Sequence, residues 1–128
     1  GLWLGLGGRA IVAARALPDR PRMVVSLLAL SVGLFLFGPL GWQHYYVLPL
    51  ALLPGLLTLP PAGRAFAAAL PALVGANIIL FNMVPADGSS STWYVSFAAG
   101  CWIVTLWQVG SLAHSAAARA GAGAQQAV

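Results

Sequence analysis

Residues 23–38 read MVVSLLALSVGLFLFG and carry no charged side chain. As an α-helix this stretch is about 24 Å long, enough to cross the hydrocarbon layer of a bilayer when its ends are anchored. Of all 128 residues, 60% are apolar and 6% are charged. Because a water-soluble domain carries about 25% charged residues, this composition predicts a membrane protein.

Three further apolar stretches follow, each bounded by proline, glycine or polar residues. They cover residues 47–59, 65–84 and 93–114. Pro49 and Pro54 predict a kinked helix in the first of these three. We therefore expect an all-α fold, a polytopic transmembrane helix bundle of about four spans that follows the tail of a preceding helix.

The chain divides into three parts on this interpretation. Residues 1–22 form the end of a preceding helix and an arginine-rich cytoplasmic loop, residues 23–116 the four spans, and residues 117–128 a disordered cytoplasmic tail. The opening octapeptide GLWLGLGG lacks the basic start and cleavage site of a signal peptide. It is typical of the end of an apolar helix, which predicts that N-terminal helices of the same protein are missing partners of these spans.

The distribution of charge predicts how the chain is threaded. The six arginines are Arg9, Arg15, Arg20, Arg22, Arg64 and Arg119, all in segments on one predicted side of the bundle. Because arginine accumulates in cytoplasmic loops, these segments and the C-terminus are predicted to be cytoplasmic. Arg15, Arg20 and Arg22 are interpreted as topological anchors, with contact to anionic headgroups as the alternative. Asp87 falls on the opposite side, and we interpret it as a solvated loop residue. The arginines are too few and too scattered for a nucleic-acid surface, so no nucleic-acid partner is expected.

An unusual aromatic string lies on the predicted external side. Residues 38–49 read GPLGWQHYYVLP, with a helix breaker, an indole, an imidazole and two phenols at headgroup depth. The imidazole of His44 can hydrogen-bond a phosphate or a sugar hydroxyl, or transfer a proton. The alternative interpretation is an aromatic belt in which His44 is only solvated by headgroups.

The string resembles a motif, Ser-Pro-x-Ser-Trp-x-His-His/Tyr, of bacterial and mycobacterial polyprenyl-phosphate-dependent mannosyltransferases of the GT87 family. Pro39, Trp42, His44 and Tyr45 match the motif, whereas glycine replaces both of its serines. The resemblance implies a GT-C-type glycosyltransferase in the bacterial plasma membrane. Such an enzyme moves a hexose, typically mannose, from a polyprenyl-phosphate donor to a lipid or glycan acceptor on the external face.

The resemblance also implies roles for single residues. His44 is expected near the donor phosphate or the reacting sugar as the candidate catalytic residue, and Trp42 and Tyr45 are expected to shape the substrate-binding pocket. In such enzymes the catalytic carboxylate lies in the first external loop, which would precede Gly1, so the chain alone would be inactive.

No cofactor and no metal is expected. The sequence has no nucleotide-binding glycine loop, no Cys/His metal spacing and no serine nucleophile motif. The competing hypothesis is a non-enzymatic polytopic membrane protein, either a transporter fragment or a scaffold.

Two of the predicted spans carry faces suited to helix contacts. The third span has a row of small residues, Ala68, Ala72, Gly75 and Ala76. The fourth has a polar stripe at helical spacing, Cys101, Thr105, Gln108, Ser111 and Ser115. Small residues let helix backbones approach closely, and the stripe is explained either by interhelical hydrogen bonds or by a lipid or substrate groove.

Overall fold

The computed structural model describes residues 1–37, 47–81 and 92–127, and this part of the chain is all helical. The elements are α1 (Leu2–Ala14), α2 (Asp19–Phe37), α3 (Val47–Leu52), a 3₁₀ helix (Leu53–Thr58), α4 (Ala62–Phe81) and α5 (Thr92–Gln126). The prediction of an all-α fold is confirmed at this level.

The helix α2 begins earlier than the sequence predicts. It starts at Asp19 instead of Met23, so that Pro21 lies within its first turn. The first turn of a helix has N–H groups without intrahelical partners, and a proline there removes no helix hydrogen bond. Asp19 also suits the positive end of the helix dipole and forms an ion pair with Arg22.

The helices α1 and α2 form an antiparallel pair that is held by Trp3. The Trp3 Nε1 donates a hydrogen bond to the Ala29 carbonyl oxygen at 3.2 Å. Its ring packs edge-to-face against Phe37, with the ring centroids 5.6 Å apart. A methyl group on Gly33 would overlap the Trp3 ring, so this contact requires a glycine in α2.

The helices α4 and α5 are antiparallel and pack closely against each other. A methyl group on Gly75 would lie 2.9 Å from Cys101 Cβ and 3.2 Å from Ala98 Cα. Ala72 and Ala68, one and two turns earlier in α4, are fully buried. The predicted role of the small residues in helix packing is therefore confirmed.

The segment predicted as one proline-kinked helix over residues 47–59 changes helix type at its midpoint. The α-helix ends at Leu52, and the 3₁₀ helix has a proline in its first turn. Leu53, Leu56 and Leu59 are buried at every third position, which is the repeat of a 3₁₀ helix. This part of the chain packs against α2, since a methyl group on Gly55 would lie 2.8 Å from Val24 Cγ2.

The helix α5 continues through residues that the sequence analysis interprets as a disordered tail. It ends at Gln126, although every residue from Ala118 to Ala127 is exposed. Alanine has the highest helix propensity, and adding residues to an existing helix avoids the cost of nucleation. The alanines after Arg119 thus favour continuation of the helix through exposed residues.

One described helix meets the length and hydropathy of a membrane span. Within α5, the stretch Ser96–Gln126 has 31 residues and contains an 18-residue window with a mean hydropathy of 1.3, enough to cross a membrane by length and composition. The other apolar helical stretches whose side chains the structure describes, Leu2–Ala14, Val47–Thr58 and the part Ala62–Ala76 of α4, are shorter. The four-span arrangement and the cytoplasmic C-terminus stay predictions.

Large apolar side chains face outward from these helices. On α2 they are Leu27, Leu30 and Leu34, and on α4 they are Phe66, Leu70 and Leu73. Each set recurs at three- and four-residue intervals and forms one exposed stripe along its helix. The buried side of α4 instead consists of alanine and glycine, so the larger apolar groups lie outside and the smaller ones inside.

Candidate functional site

The three residues predicted to contact the sugar donor lie outside the described residues. Trp42, His44 and Tyr45 belong to residues 38–46, and Asp87 belongs to residues 82–91. The roles assigned to the first three, and the interpretation of Asp87 as a solvated loop residue, therefore stay predictions.

Three segments that are distant in sequence meet at one end of the described bundle. They are residues 15–22, 58–64 and 116–120, which we call the arginine end because they contain five of the six arginines. They surround a cavity of about 440 Å³. Its lining consists of Leu17, Pro18, Pro21, Thr58, Leu59, Pro60, Ala116, Arg119 and Ala120.

Arg119 joins two walls of this cavity. Its Nη2 donates a hydrogen bond to the Pro60 carbonyl oxygen at 3.0 Å, which ties α5 to the turn before α4. The backbone N–H of Arg64 donates to the Pro61 carbonyl oxygen at 3.0 Å, and the carbonyl oxygen of Pro60 accepts from the Arg119 side chain. Sequence reasoning identified Arg119 only as a topological charge, because nothing local to residue 119 indicates a partner 59 positions away.

The arginine end carries excess positive charge. The arginines are Arg15, Arg20, Arg22, Arg64 and Arg119, all exposed, and Asp19 is the one carboxylate within these three segments. Asp19 is paired with Arg22 across one helical turn. Because both side chains of that pair are exposed, the pair itself adds little stability, but the surrounding potential remains positive.

A second polar contact lies in the middle of the α4–α5 interface. The helix α4 contains Pro71, which has no N–H and disturbs the helix hydrogen bonds around it. The next N–H, that of Ala72, donates to the Thr105 Oγ1 at 3.0 Å, and both residues are fully buried. A threonine on the neighbouring helix thus provides an acceptor beside a proline kink, as in membrane helix bundles.

Replacing Thr105 with valine should destabilise the folded chain by about 1 kcal/mol. Valine keeps the shape of threonine but cannot accept the hydrogen bond from the Ala72 N–H. The measurement is equilibrium unfolding of the purified protein in detergent micelles. In a Pro71→Ala background, α4 can form its own hydrogen bonds, and the same substitution should cost less. Equal losses in the two backgrounds would contradict the coupling between Pro71 and Thr105.

The polar stripe of α5 has two kinds of contact. Thr105 makes an interhelical hydrogen bond, as one of the two interpretations of the stripe predicts. Ser111 and Ser115 instead donate to carbonyl oxygens of their own helix, at Trp107 and Ser111 respectively, each at 3.0 Å. Such local bonds satisfy a hydroxyl without any partner helix.

An apolar groove lies between the 3₁₀ helix and α4. It has a volume of about 260 Å³ and is lined by Leu50, Leu53, Pro54, Leu57, Ala65, Phe66, Ala69 and Leu73. The lining contains no charged or hydrogen-bonding side chain. The groove can hold a hydrocarbon chain, and it has no group that could act as an acid, a base or a nucleophile.

Titratable side chains are sparse in the described ranges. No group of three or more histidine, cysteine, aspartate or glutamate residues that could hold a metal ion occurs in residues 1–37, 47–81 and 92–127. His114 is exposed on α5, and Cys101 faces Gly75 at the α4–α5 contact.

Comparison with known proteins finds no protein-family model, no curated protein and no solved structure that matches this chain. The resemblance of residues 38–49 to the mannosyltransferase motif rests on the residues themselves. It stays a prediction.

Proposed function

We propose that this chain forms membrane-embedded helices of a glycosyltransferase. The enzyme transfers a hexose, mannose in the first instance, from a polyprenyl-phosphate donor to a lipid or glycan acceptor at the external face of the bacterial plasma membrane. The observation that carries the proposal is the string Pro39-x-x-Trp42-x-His44-Tyr45, which resembles the motif of enzymes with this activity.

The arrangement of the described helices supports the sidedness that such a reaction needs. In this proposal the arginine end lies on the cytoplasmic side, because arginine is retained there during insertion. The helix α2 leads away from the arginine end, and the 3₁₀ helix returns to it at Thr58. The string follows α2 and precedes α3 in sequence, and the proposal assigns it to the side opposite the arginines, where a lipid-linked donor is used.

The surface of the described helices supports insertion into lipid. Leu34 of α2 is 56% exposed and Phe66 of α4 is 54% exposed, while the fully buried positions of α4 are alanines. An outward apolar face of this kind in a soluble protein would promote association. In a membrane it contacts lipid tails or further helices, and small residues form the helix contacts.

In this proposal the residues of the string have different roles at the sugar donor. The imidazole of His44 hydrogen-bonds the donor phosphate or the reacting sugar, which stabilises charge on the leaving polyprenyl phosphate. Trp42 and Tyr45 form the walls of the sugar pocket. The carboxylate that activates the acceptor hydroxyl comes from another part of the enzyme.

The proposal is tested by assaying transfer directly. Membranes that contain the natural full-length protein should convert a polyprenyl-phosphate-linked, isotope-labelled mannose into a labelled glycolipid or glycan and free polyprenyl phosphate. Matched membranes without the protein serve as the control. Full-length protein that inserts correctly but transfers no sugar from mannose, glucose or galactose donors would favour the non-enzymatic alternative, a transporter or scaffold.

A further inference from the structure

We propose that the cavity at the arginine end binds the headgroup of an anionic phospholipid from the cytoplasmic leaflet. This inference rests on the membrane insertion contained in the proposed function, but it does not depend on sugar transfer. The cavity lies at the end of the bundle opposite to the side assigned to the donor.

The cavity has the size and lining of a site for an amphipathic ligand. Its volume of about 440 Å³ lies within the usual range of small-molecule sites, about 300–1,000 Å³. Leu17, Leu59 and Pro21 are buried and give it apolar walls. Such walls suit a glycerol backbone and the first carbons of an acyl chain, whereas a fully hydrated inorganic ion would gain nothing from them.

Arg119 supplies the group that recognises phosphate. A guanidinium has five N–H donors in a planar fork, and its fit to phosphate oxygens is bidentate. The hydrogen bond from Nη2 to the Pro60 carbonyl oxygen fixes the plane of this fork at the edge of the cavity. The other N–H groups of the same guanidinium can then donate to a phosphate without further ordering of the side chain.

The charge of the surrounding segments selects an anionic lipid over a zwitterionic one. The arginine end contains five arginines and one aspartate, and all six side chains are exposed. The cytoplasmic leaflet carries anionic lipids, which are attracted to basic groups close to the membrane surface. Because clustered arginines are retained at the membrane surface, the cavity is expected at headgroup depth.

The first test measures lipid binding by the purified full-length protein in neutral detergent micelles, with phosphatidylglycerol as the probe and phosphatidylcholine for comparison. Phosphatidylglycerol should bind preferentially, and Arg119→Gln should weaken its binding about tenfold. Arg64→Gln removes the same charge at the same end but outside the cavity lining, and it should change binding by less than about twofold. Equal losses in the two variants would show diffuse attraction and overturn the proposal.

A second pair of variants keeps every charge in place. Ala120→Leu fills the edge of the cavity from an exposed position, so the protein should fold and lose phosphatidylglycerol binding. Ala118→Leu adds the same side chain to an exposed position of α5 that is not part of the lining, and binding should persist. Unchanged binding in Ala120→Leu would overturn the cavity assignment. Displacement of the lipid by an equal concentration of inorganic phosphate would overturn the lipid assignment.

Discussion

Replacement of His44 with alanine is expected to reduce sugar transfer by the natural full-length protein by at least about a hundredfold. In the proposed function the imidazole contacts the donor phosphate or the reacting sugar. An acid–base or charge-stabilising group in that position contributes to the transition state much more than to folding. The measurement is the rate of transfer from polyprenyl-phosphate-linked mannose in membranes with equal amounts of inserted protein.

The second histidine of the chain provides the matched control. His114 is exposed on α5 near the arginine end, and His114→Ala should leave transfer unchanged. His44→Gln separates two roles, because glutamine can donate a hydrogen bond to phosphate but cannot transfer a proton at neutral pH. Full activity of His44→Ala would remove His44 from the site and favour the interpretation of the string as an aromatic belt.

The helical character of the chain could be predicted because it depends on local composition. Apolar stretches at residues 23–38, 65–84 and 93–114 correspond to most of α2, most of α4 and the first two thirds of α5. The ends were less predictable. The start of α2 depends on a proline tolerated in a first turn, and the end of α5 depends on alanine propensity in an exposed segment.

The sequence predicted that helices pack closely, but it did not predict which residues are in contact. A row of small residues in α4 indicated close packing, and Gly75 indeed lies against Cys101. The hydrogen bond between Ala72 and Thr105 joins positions 33 residues apart, and sequence spacing within either helix does not identify the partner. Such a pair depends on the register of two helices, which is a property of the assembled fold.

The same limit applies to the binding surfaces. The string at residues 38–49 was identified because its residues are consecutive, and its function stays a prediction. The cavity at the arginine end was not identified, since three separate segments form it. Clustering of arginines on one predicted side was a signal for it, but no pattern around residue 119 or residue 60 indicates the hydrogen bond from Arg119 to Pro60.

A single register connects the middle of the α4–α5 pair to the cavity. The contacts along this pair are Gly75 with Cys101, Ala72 with Thr105, and Pro60 with Arg119. Along this series the residue numbers fall from Gly75 to Pro60 and rise from Cys101 to Arg119, as antiparallel helices require. A change that separates the helices at Gly75 should therefore act on all three contacts.

Replacement of Gly75 with leucine should destabilise the folded protein by about 3 kcal/mol. Even a methyl group at this position would lie 2.9 Å from Cys101 Cβ and 3.2 Å from the backbone at Ala98. The backbone at Ala98 cannot move aside as a flexible side chain can, so α4 and α5 must separate and the hydrogen bond to Thr105 is lost. The measurement is equilibrium unfolding in detergent micelles, with Gly75→Ala expected to show a smaller loss in the same direction.

Gly100→Leu is the matched control for this substitution. Gly100 lies in α5 next to Cys101, but a methyl group there meets no atom within 4 Å. Leucine also has a higher helix propensity than glycine, so this variant should be as stable as the natural protein or slightly more stable. If both leucine variants lose the same stability, the loss comes from added apolar bulk in general. A loss confined to Gly75→Leu shows that the α4–α5 pair depends on backbone contact at this glycine, and the same variant should then weaken phosphatidylglycerol binding at the cavity.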